Sequence, residues 1–583
     1  MSEQLVTNVF VLTSKPGIKR DGTPLDNEYY TDGQWVRFQR GRPKKMGGFR
    51  SMSDFLTGPI RNVYVDARSV ANTAHTFSPW GIQQLTFDFN GAGAGVIDRT
   101  PAGLAYNANY NWQSDAMFNS GGGGLPVLIA ASAPDLDNIA NESNGGVYSG
   151  GIADATAFTA LDDGTNPISV SGGCCVLQPF LFVYGNNGLI KNSNANNITG
   201  ASGWSGTNAN TANVAGCKIV KGLPVRGGGQ SPAGLFWGLD VLIRVSYVGG
   251  TALWAYDPLG SISIASKSGV IEYDNIYYWP GLDRFYAYTG VIQELPCALS
   301  QNFFFDNLNY TQAQKIWCIK VPRFGEIWWF FPTGTATECD HVLIFNVREN
   351  TWYDSALART AGRPADVFRY PVMAGGEPTA TVLLTYTAVT GTFNTNEVVT
   401  GGTSGATGRI VRILGGQLNL TDASGTFANG ETITGASGAT GTVTAVPQSQ
   451  ELDTLWQHEV GYDRVKGASF TAIPSYFETS NFQLATGGPT QDVPQGATNQ
   501  VRLTKVEPDF LSAGTLQLTV RGQAYAQAPV QDGGVIPFDD TTTYLATREQ
   551  RRQMSLRVES NEVGGFYEGG RTLLHVEPGD ERA

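Results

Sequence analysis

The sequence has few charged residues and few histidines. Charged side chains make up 15% of the 583 residues, and only 4 histidines occur. No two of these histidines stand at the spacing of a metal-binding pair, and the HExxH, GxSxG, Walker and calcium-loop motifs are absent from the sequence. We therefore expect no metal, no cofactor and no enzymatic activity.

Cysteine pairs and long apolar runs are also missing. Cys174 and Cys175 are adjacent, and the other cysteines are scattered without the close spacing of a zinc site or a disulfide framework. No apolar run reaches the roughly 18 residues of a membrane-spanning helix. The amino terminus lacks the basic leader of a signal peptide. These features predict reduced thiols in a soluble protein made in the cytoplasm.

Glycine and aromatic residues, in contrast, are abundant. Glycine occurs 72 times, and aromatic residues make up 11% of the chain. Short runs of aromatic and β-branched residues alternate with glycine-bearing turns, as in residues 176–191 and 270–295. Such runs favour strands, and Asn-Gly and Gly-Gly turns supply the positive φ angles of hairpins. The composition predicts an all-β chain.

A loose repetition runs through the body of the chain, residues 61–376. Tyr184, Tyr247 and Tyr288 end comparable runs, but at unequal spacings. The second spacing fits a four-stranded propeller blade, and the first requires an insertion. Spacing alone therefore leaves two alternatives open, a β-propeller and an irregular series of β-sandwich hairpins.

Residues 391–411 and 425–445 are a true internal repeat. Phe393 corresponds to Phe427 and Glu397 to Glu431. Each unit contains a short strand, an SGATG turn and a second strand, which together predict a small β module inserted at 377–448. The turn residues are candidates for contact with a glycan or a partner, with ordinary turn chemistry as the alternative. These candidates are Ser404, Thr407, Ser437 and Thr440.

The remaining segments lie at the two ends of the chain. Residues 449–583 contain evenly sized strands of alternating character, which predict a β-sandwich-like domain that completes the fold. Residues 1–60 predict an amino-terminal strand segment that includes a basic hairpin.

Residues 35–50, WVRFQRGRPKKMGGFR, concentrate positive charge in a protein of net charge −12. Three interpretations compete: a solvated hairpin with internal salt bridges, a contact to an acidic neighbouring subunit, and a contact to the DNA backbone. No aromatic platform or recognition helix accompanies the cluster, so we favour the first two. The basic residues are Arg37, Arg40, Arg42, Lys44, Lys45 and Arg50.

Two carboxylates raise the question of glycoside hydrolysis. Asp283 and Glu326 stand among aromatic residues, as catalytic carboxylates of glycosidases do. Nothing in the sequence fixes their separation, and outward-facing carboxylates on strands are the commoner explanation. We therefore favour a structural or binding protein over an enzyme.

Both ends of the chain carry motifs of a known family. The stretch PGIKRDGTPLDNEYYTDGQWVRFQRGRPKKMGGF contains PG, DGT, WVRF and a G-x-P-x-K-x-x-G pattern in that order. DTLWQHEVGYDRV, SYFETSNFQL, VEPDF and REQRRQMSLRVES follow near the carboxyl terminus. Over residues 16–50 and 450–583 the chain resembles the tail hub or nozzle (packaged-DNA stabilisation) proteins of short-tailed bacteriophages, the podoviruses.

This resemblance implies a fold, an assembly and a function. It implies a β-propeller body and a homo-oligomeric, hexameric ring below the portal and adaptor of the virion, assembled in the host cytoplasm. The ring would retain the packaged genome and channel double-stranded DNA during ejection, without sequence specificity. Expected partners are the adaptor and the tail fibre or spike proteins, and the host envelope is a further candidate. The alternative is a host-surface-binding tail adhesin, or fibre-type protein, that recognises glycan.

Overall fold

A computed structural model describes residues 8–23, 28–67, 72–88, 90, 92–120, 124–133, 145–225, 232–250, 252–365, 368–485, 488–490, 499–525 and 528–581. Within these ranges nearly all regular structure is β-strand, which confirms the all-β class. The two α-helices found there are short: α1 (Gly200–Trp204) and α2 (Gln301–Asn307). In the described part of the chain, no helix is long and apolar enough to cross a membrane.

The first strands of the chain are divided between two bodies. Their bounds are β1 (Asn8–Leu12), β2 (Lys15–Ile18), β3 (Tyr29–Tyr30), β4 (Asp32–Gln34), β5 (Val36–Gln39), β6 (Arg42–Lys45) and β7 (Phe49–Thr57). β1, β4 and β6 pair with strands from the carboxyl-terminal part of the chain, and β5 pairs with β6. β7 instead joins the propeller.

Six antiparallel sheets follow along the chain, each with four strands in sequence order, and the second sheet has a fifth strand, β16, paired with β14. Blades 1 to 3 are β8 (Asn62–Ala67), β9 (Asn72–Ser78), β10 (Gly81–Phe87), β11 (Gly93–Asp98); β12 (Gln113–Asn119), β13 (Leu125–Ala131), β14 (Gly145–Gly151), β15 (Thr159–Ala160), β16 (Ser169–Val170); and β17 (Gly173–Leu177), β18 (Phe180–Tyr184), β19 (Leu189–Asn192), β20 (Asn210–Asn213). Blades 4 to 6 are β21 (Ile219–Pro224), β22 (Ala233–Gly238), β23 (Val241–Tyr247), β24 (Trp254–Ser261); β25 (Ile271–Tyr273), β26 (Ile276–Pro280), β27 (Phe285–Tyr288), β28 (Ile292–Leu295); and β29 (Trp317–Val321), β30 (Glu326–Phe331), β31 (His341–Asn346), β32 (Thr351–Ala356).

Strand β30, with the sequence EIWWFF, shows why these sheets stack. All six of its residues are buried, because a strand inside a blade has neighbouring sheets on both faces. Ile327 and Trp329 pack into the core between blades 5 and 6. Trp328 and Phe330 point to the opposite face and pack into a second core. A continuous apolar run thus replaces the alternation expected of a half-exposed strand.

The strands from 361 to 458 complete the propeller and form the inserted module. Their bounds are β33 (Ala361–Arg363), β34 (Val372–Ala374), β35 (Thr379–Thr390), β36 (Val398–Gly401), β37 (Thr407–Leu414), β38 (Gln417–Ser424), β39 (Thr432–Gly435), β40 (Thr440–Val443) and β41 (Gln448–His458).

A seventh blade closes the ring with strands from both sides of the module and from the amino-terminal segment. Its order is β33–β34–β41–β7, with Val372 opposite Gln457 and His458 opposite Phe49. β33 also contacts β29 of blade 6 and β8 of blade 1. The described residues therefore form a seven-bladed β-propeller, whose last blade takes its fourth strand, β7, from the chain before blade 1.

The module is a closed six-stranded sheet. Its order is β38–β37–β36–β39–β40–β35, and β35 pairs back with β38. The two sequence repeats meet antiparallel at β36 and β39, with Thr400 opposite Thr434. Their equivalent residues Phe393 and Phe427 lie in one shared core. β35 and β41 are paired at the base of the module and connect it to blade 7.

The carboxyl-terminal strands form the sandwich predicted from the sequence, except for the first two, which extend the blade 7 sheet beyond β7. Their bounds are β42 (Asp463–Lys466), β43 (Ser469–Ala472), β44 (Ser475–Glu478), β45 (Gln483–Ala485), β46 (Gly488–Thr490), β47 (Asn499–Glu507), β48 (Phe510–Ala513), β49 (Leu516–Gln523), β50 (Gln531–Phe538), β51 (Leu545–Arg551), β52 (Gln553–Ser560), β53 (Phe566–Gly569) and β54 (Thr572–Glu581). Sheets β1–β54–β47–β51 and β4–β44–β52–β49–β50 share one core, which contains Leu503, Leu574, Leu518 and Val558. A third sheet, β48–β53–β6–β5, adjoins them.

Candidate assembly surface

The basic cluster begins in a tight hairpin. β5 and β6 pair from Val36–Lys45 to Gln39–Arg42, which leaves Arg40 and Gly41 as a two-residue turn. Both turn residues have positive φ, 53° at Arg40 and 76° at Gly41, as a type I′ turn requires. The sequence predicted the hairpin, and the structure places its turn at Arg40–Gly41.

Arg37 is buried, because its strand lies between the sandwich and the propeller. Its side chain is 2% exposed and forms ion pairs with Glu326 at 3.0 Å and Glu459 at 2.6 Å. The guanidinium also lies over the ring of Phe324, 3.5 Å from the centroid. Burial acts to lower the pKa of Arg37, but the two carboxylates outweigh it and raise the pKa. Arg37 therefore cannot contact DNA or a neighbouring subunit, and its prediction as such a contact is wrong.

The prediction that Lys45 contacts DNA or a neighbouring subunit is wrong for the same reason. It is 1% exposed, and its ammonium group lies 3.4 Å from the hydroxyl of Ser560. Burial lowers the pKa of Lys45 to about 8, although the nearby carboxylate of Asp463 opposes the shift. A cation enclosed by its own chain is not available to phosphate or to a partner.

The other basic residues divide into partnered and exposed groups. Lys44 forms an ion pair with Glu568 at 3.1 Å, and Arg50 donates a hydrogen bond to the Gln457 side chain at 2.8 Å. Arg40 and Arg42 are exposed at the hairpin end. The carboxylate of Glu349 accepts the backbone N–H groups of Arg40 and Gly41, which fixes the turn against blade 6.

The two carboxylates considered for glycoside hydrolysis occupy very different environments. Glu326 is fully buried, and its oxygens accept hydrogen bonds from Tyr353 at 2.6 Å and Trp328 at 2.8 Å. Burial raises the pKa of Glu326, while Arg37 opposes the shift. Asp283 instead lies on the surface and forms an ion pair with Arg284 at 2.8 Å. Glu326 has no access to a polysaccharide, so this pair provides no catalytic site.

The SGATG turns are held by carboxylates exchanged between the two repeats. Glu431 of the second repeat accepts hydrogen bonds from the hydroxyl and the backbone N–H of Ser404, both at 2.9 Å. Glu397 of the first repeat accepts the backbone N–H of Ser437 at 2.8 Å. Thr407 and Thr440 begin β37 and β40 and are half-buried. The serines are exposed, but the turns have a structural role.

Exposed apolar side chains lie on outer strands of the sandwich, at positions for which the sequence carries no specific signal. Val535 is 58% exposed on β50, and Leu511 is 64% exposed on β48. Val9 is 53% exposed on β1. Each of these strands is the outermost described strand of its sheet. We call Val9, Leu511 and Val535 the outer-strand residues.

Comparisons with known proteins give no family assignment. No family model matches the chain, and no curated protein matches it. BamB from Moraxella catarrhalis is 12% identical, with a TM-score of 0.28, over 70% of this chain and 99% of that chain. An ancestral GH74 enzyme is 12% identical, with a TM-score of 0.34, over 60% of this chain and 50% of that chain. Neither is described as a phage protein, and at these values neither indicates what the chain does.

Proposed function

We propose that the chain is a structural subunit of a phage tail nozzle or hub. The supporting observation is that most of the two segments resembling nozzle proteins folds into one body. Gly33 of the amino-terminal segment pairs with Phe477, and Lys44 pairs with Glu568. A resemblance split between the two ends of a sequence thus corresponds largely to one structural unit, the sandwich together with its hairpin, although the stretch DTLWQHEV includes part of β41 in blade 7.

The outer-strand residues supply a surface suited to ring assembly. Outer strands carry backbone donors and acceptors that can pair with another chain. Exposed apolar residues on the same strands would be buried by such a contact. In a closed ring every subunit presents the same two surfaces to its neighbours, so one pair of complementary edges is sufficient. We assign the subunit contacts to the sandwich rather than to the basic cluster.

The charge distribution is compatible with a channel that releases DNA quickly. The net charge is −12, and several cations of the basic cluster are occupied within the chain. Each phosphate neutralised by a protein cation adds salt-dependent affinity, so a surface with few free cations would hold the duplex weakly. The proposed role is non-enzymatic: retention of the genome in the virion, then passage of the DNA without sequence readout.

Co-sedimentation with the portal and adaptor tests this function. We expect the wild-type protein to sediment with the portal–adaptor complex, and Val535→Lys to reduce its incorporation because a buried charge opposes strand contact. Val291→Lys is the matched control, since Val291 is 67% exposed on a blade 5 turn. Failure of the wild-type protein to join the complex would argue against the nozzle function. An equal loss of incorporation with Val535→Lys and Val291→Lys would show that the outer-strand residues do not form the subunit contacts.

A further inference from the structure

A cleft lies between blade 1 and the base of the inserted module. Its volume is about 330 Å³, within the range of small-molecule sites. Trp80 and Gln83 line it from blade 1, Tyr106 from the following loop, and Arg412 from the module. The cleft therefore exists only because the module is inserted beside blade 1.

One side of the cleft is aromatic. The rings of Trp80 and Tyr106 pack at a centroid distance of 4.3 Å with their planes inclined by 39°, and Tyr106 remains 53% exposed. The exposed part of Tyr106 is available to a ligand. Aromatic rings beside polar groups are typical of sites that bind ligands with both apolar and polar faces.

The other side of the cleft holds an unpaired cation. Nη1 of Arg412 donates to the carbonyl of Phe55 at 3.0 Å and to the hydroxyl of Thr57 at 2.8 Å. Among the described residues, no carboxylate lies within ion-pair distance of this guanidinium, and its Nε is buried without an acceptor. Burial lowers the pKa of Arg412 to about 10, with the exposed carboxylate of Asp98 opposing the shift. An anionic ligand would compensate this charge.

Neutral donors extend the polar side of the cleft. The side-chain oxygen of Gln83 accepts the backbone N–H of Thr57 at 2.8 Å. The amide nitrogen of Gln83 therefore remains as a donor with no acceptor in the described part of the chain. A pyranose ring matches this arrangement, since its C–H face stacks on an aromatic ring while its hydroxyls accept from neutral donors.

We propose that this cleft binds an acidic saccharide, a sugar bearing a carboxylate or phosphate group, with the sugar against Tyr106 and the acid at Arg412. The site is independent of the ring function, because all of its residues come from one chain. It also differs from the SGATG turns, whose polar groups are occupied by Glu397 and Glu431.

Titration calorimetry on the full chain tests the proposal with three probes: oligogalacturonate, a phosphorylated mannose oligosaccharide and neutral maltotetraose. We expect saturable binding of at least one acidic probe and weaker binding of maltotetraose. Arg412→Gln should weaken acidic binding by about tenfold, since a charge-assisted hydrogen bond is lost. Tyr106→Ala should weaken it by about threefold through loss of the aromatic contact.

Arg409→Gln is the matched control, because Arg409 lies on the same strand but is exposed, 3.7 Å from Asp422. If Arg412→Gln does not fold, Tyr106→Ala keeps the test valid, since Tyr106 lies on the surface. The proposal would be overturned by no binding of either acidic probe or by equal binding of maltotetraose. Equal weakening by Arg409→Gln would also overturn it. None of these outcomes depends on whether the protein joins a tail.

Discussion

Arg37 is the residue that most directly connects the amino-terminal hairpin to the propeller. It comes from β5, whereas Glu326 belongs to blade 6 and Glu459 follows the last strand of blade 7. Removing one partner of a buried ion pair leaves an uncompensated charge and costs about 3–5 kcal/mol. We expect Arg37→Ala to lower the free energy of unfolding by this amount, measured by denaturant titration with tryptophan fluorescence.

The exposed Arg42 on the same hairpin provides the control for that experiment. Arg42→Ala should change the free energy of unfolding by less than about 0.5 kcal/mol, as is usual for surface positions. If Arg37→Ala were equally mild, the buried ion pair would not hold the two bodies together.

Asp453 gives a prediction about pH. It is 1% exposed on β41, and its carboxylate accepts the backbone N–H of Ile60 at 3.0 Å. Burial raises the pKa of Asp453 to about 7, and the nearby carboxylates of Glu451 and Glu338 add to the shift. The hydrogen bond from Ile60 and the charge of Arg61 oppose it. The folded state therefore holds a proton that the unfolded state releases at about pH 4.

This shift makes the folded state less stable as pH rises from about 4 to 7. Asp453→Asn keeps an oxygen for the Ile60 N–H and cannot ionise. We expect the variant to have a higher free energy of unfolding than the wild type at pH 8. The difference between variant and wild type should be about 2 kcal/mol larger at pH 8 than at pH 5. Thermal unfolding at both pH values measures this. An identical difference at the two values would show that Asp453 is not protonated in the folded state.

At these positions the sequence predicted the hairpin but not the burial. The Arg-Gly turn and the alternation of WVRF are local signals. The partners of Arg37 lie hundreds of residues away, and no local pattern indicates that the polar face of this strand will be covered as well as the apolar face. Charge clusters therefore identify candidate surfaces, and only the tertiary fold separates Arg37 and Lys45 from Arg40 and Arg42.

Among the elements, the inserted module is the most independent. Its two repeats close one sheet and share one core, while blade 7 uses β33, β34, β41 and β7, none of which lies in the module. The N–H of Thr444 donates to the carbonyl of Thr385 at 2.8 Å, so the two ends of the module are adjacent. We expect that replacing residues 386–443 by Asn-Gly leaves the propeller folded, as judged by circular dichroism and thermal unfolding.

The matched control removes an element that the propeller needs. Deletion of residues 1–57 takes away β7, the fourth strand of blade 7, and should abolish cooperative unfolding of the body. An insoluble product from the module deletion, beside a folded product from the amino-terminal deletion, would contradict the assignment of blade 7.

The elements also explain why the spacing of tyrosines predicted the propeller only weakly. Tyr247 and Tyr288 both end the third strand of their blades, so their spacing is a true blade repeat. Tyr184 ends the second strand of blade 3 and is not equivalent to them. The internal repeat was predictable because its residues are nearly identical. The blades were not, because each blade needs only short apolar strands and turns, which many sequences supply.

For the whole molecule, composition predicted the β class, and the structure confirms the propeller, module and sandwich. The closure of the propeller by an amino-terminal strand was not predictable from local sequence, since it joins β7 to β41 across the whole body. The outer-strand residues were also not predictable, because exposure depends on which strands end a sheet. The nozzle function remains a proposal that rests on the sandwich.

The most direct test of the central claim is electron microscopy of the protein mixed with the portal and adaptor. We expect a ring of six copies stacked below the adaptor, with the sandwich domains in contact and a central channel wide enough for duplex DNA. A protein that never enters the ring, and instead coats host cells or their polysaccharide, would contradict the central claim.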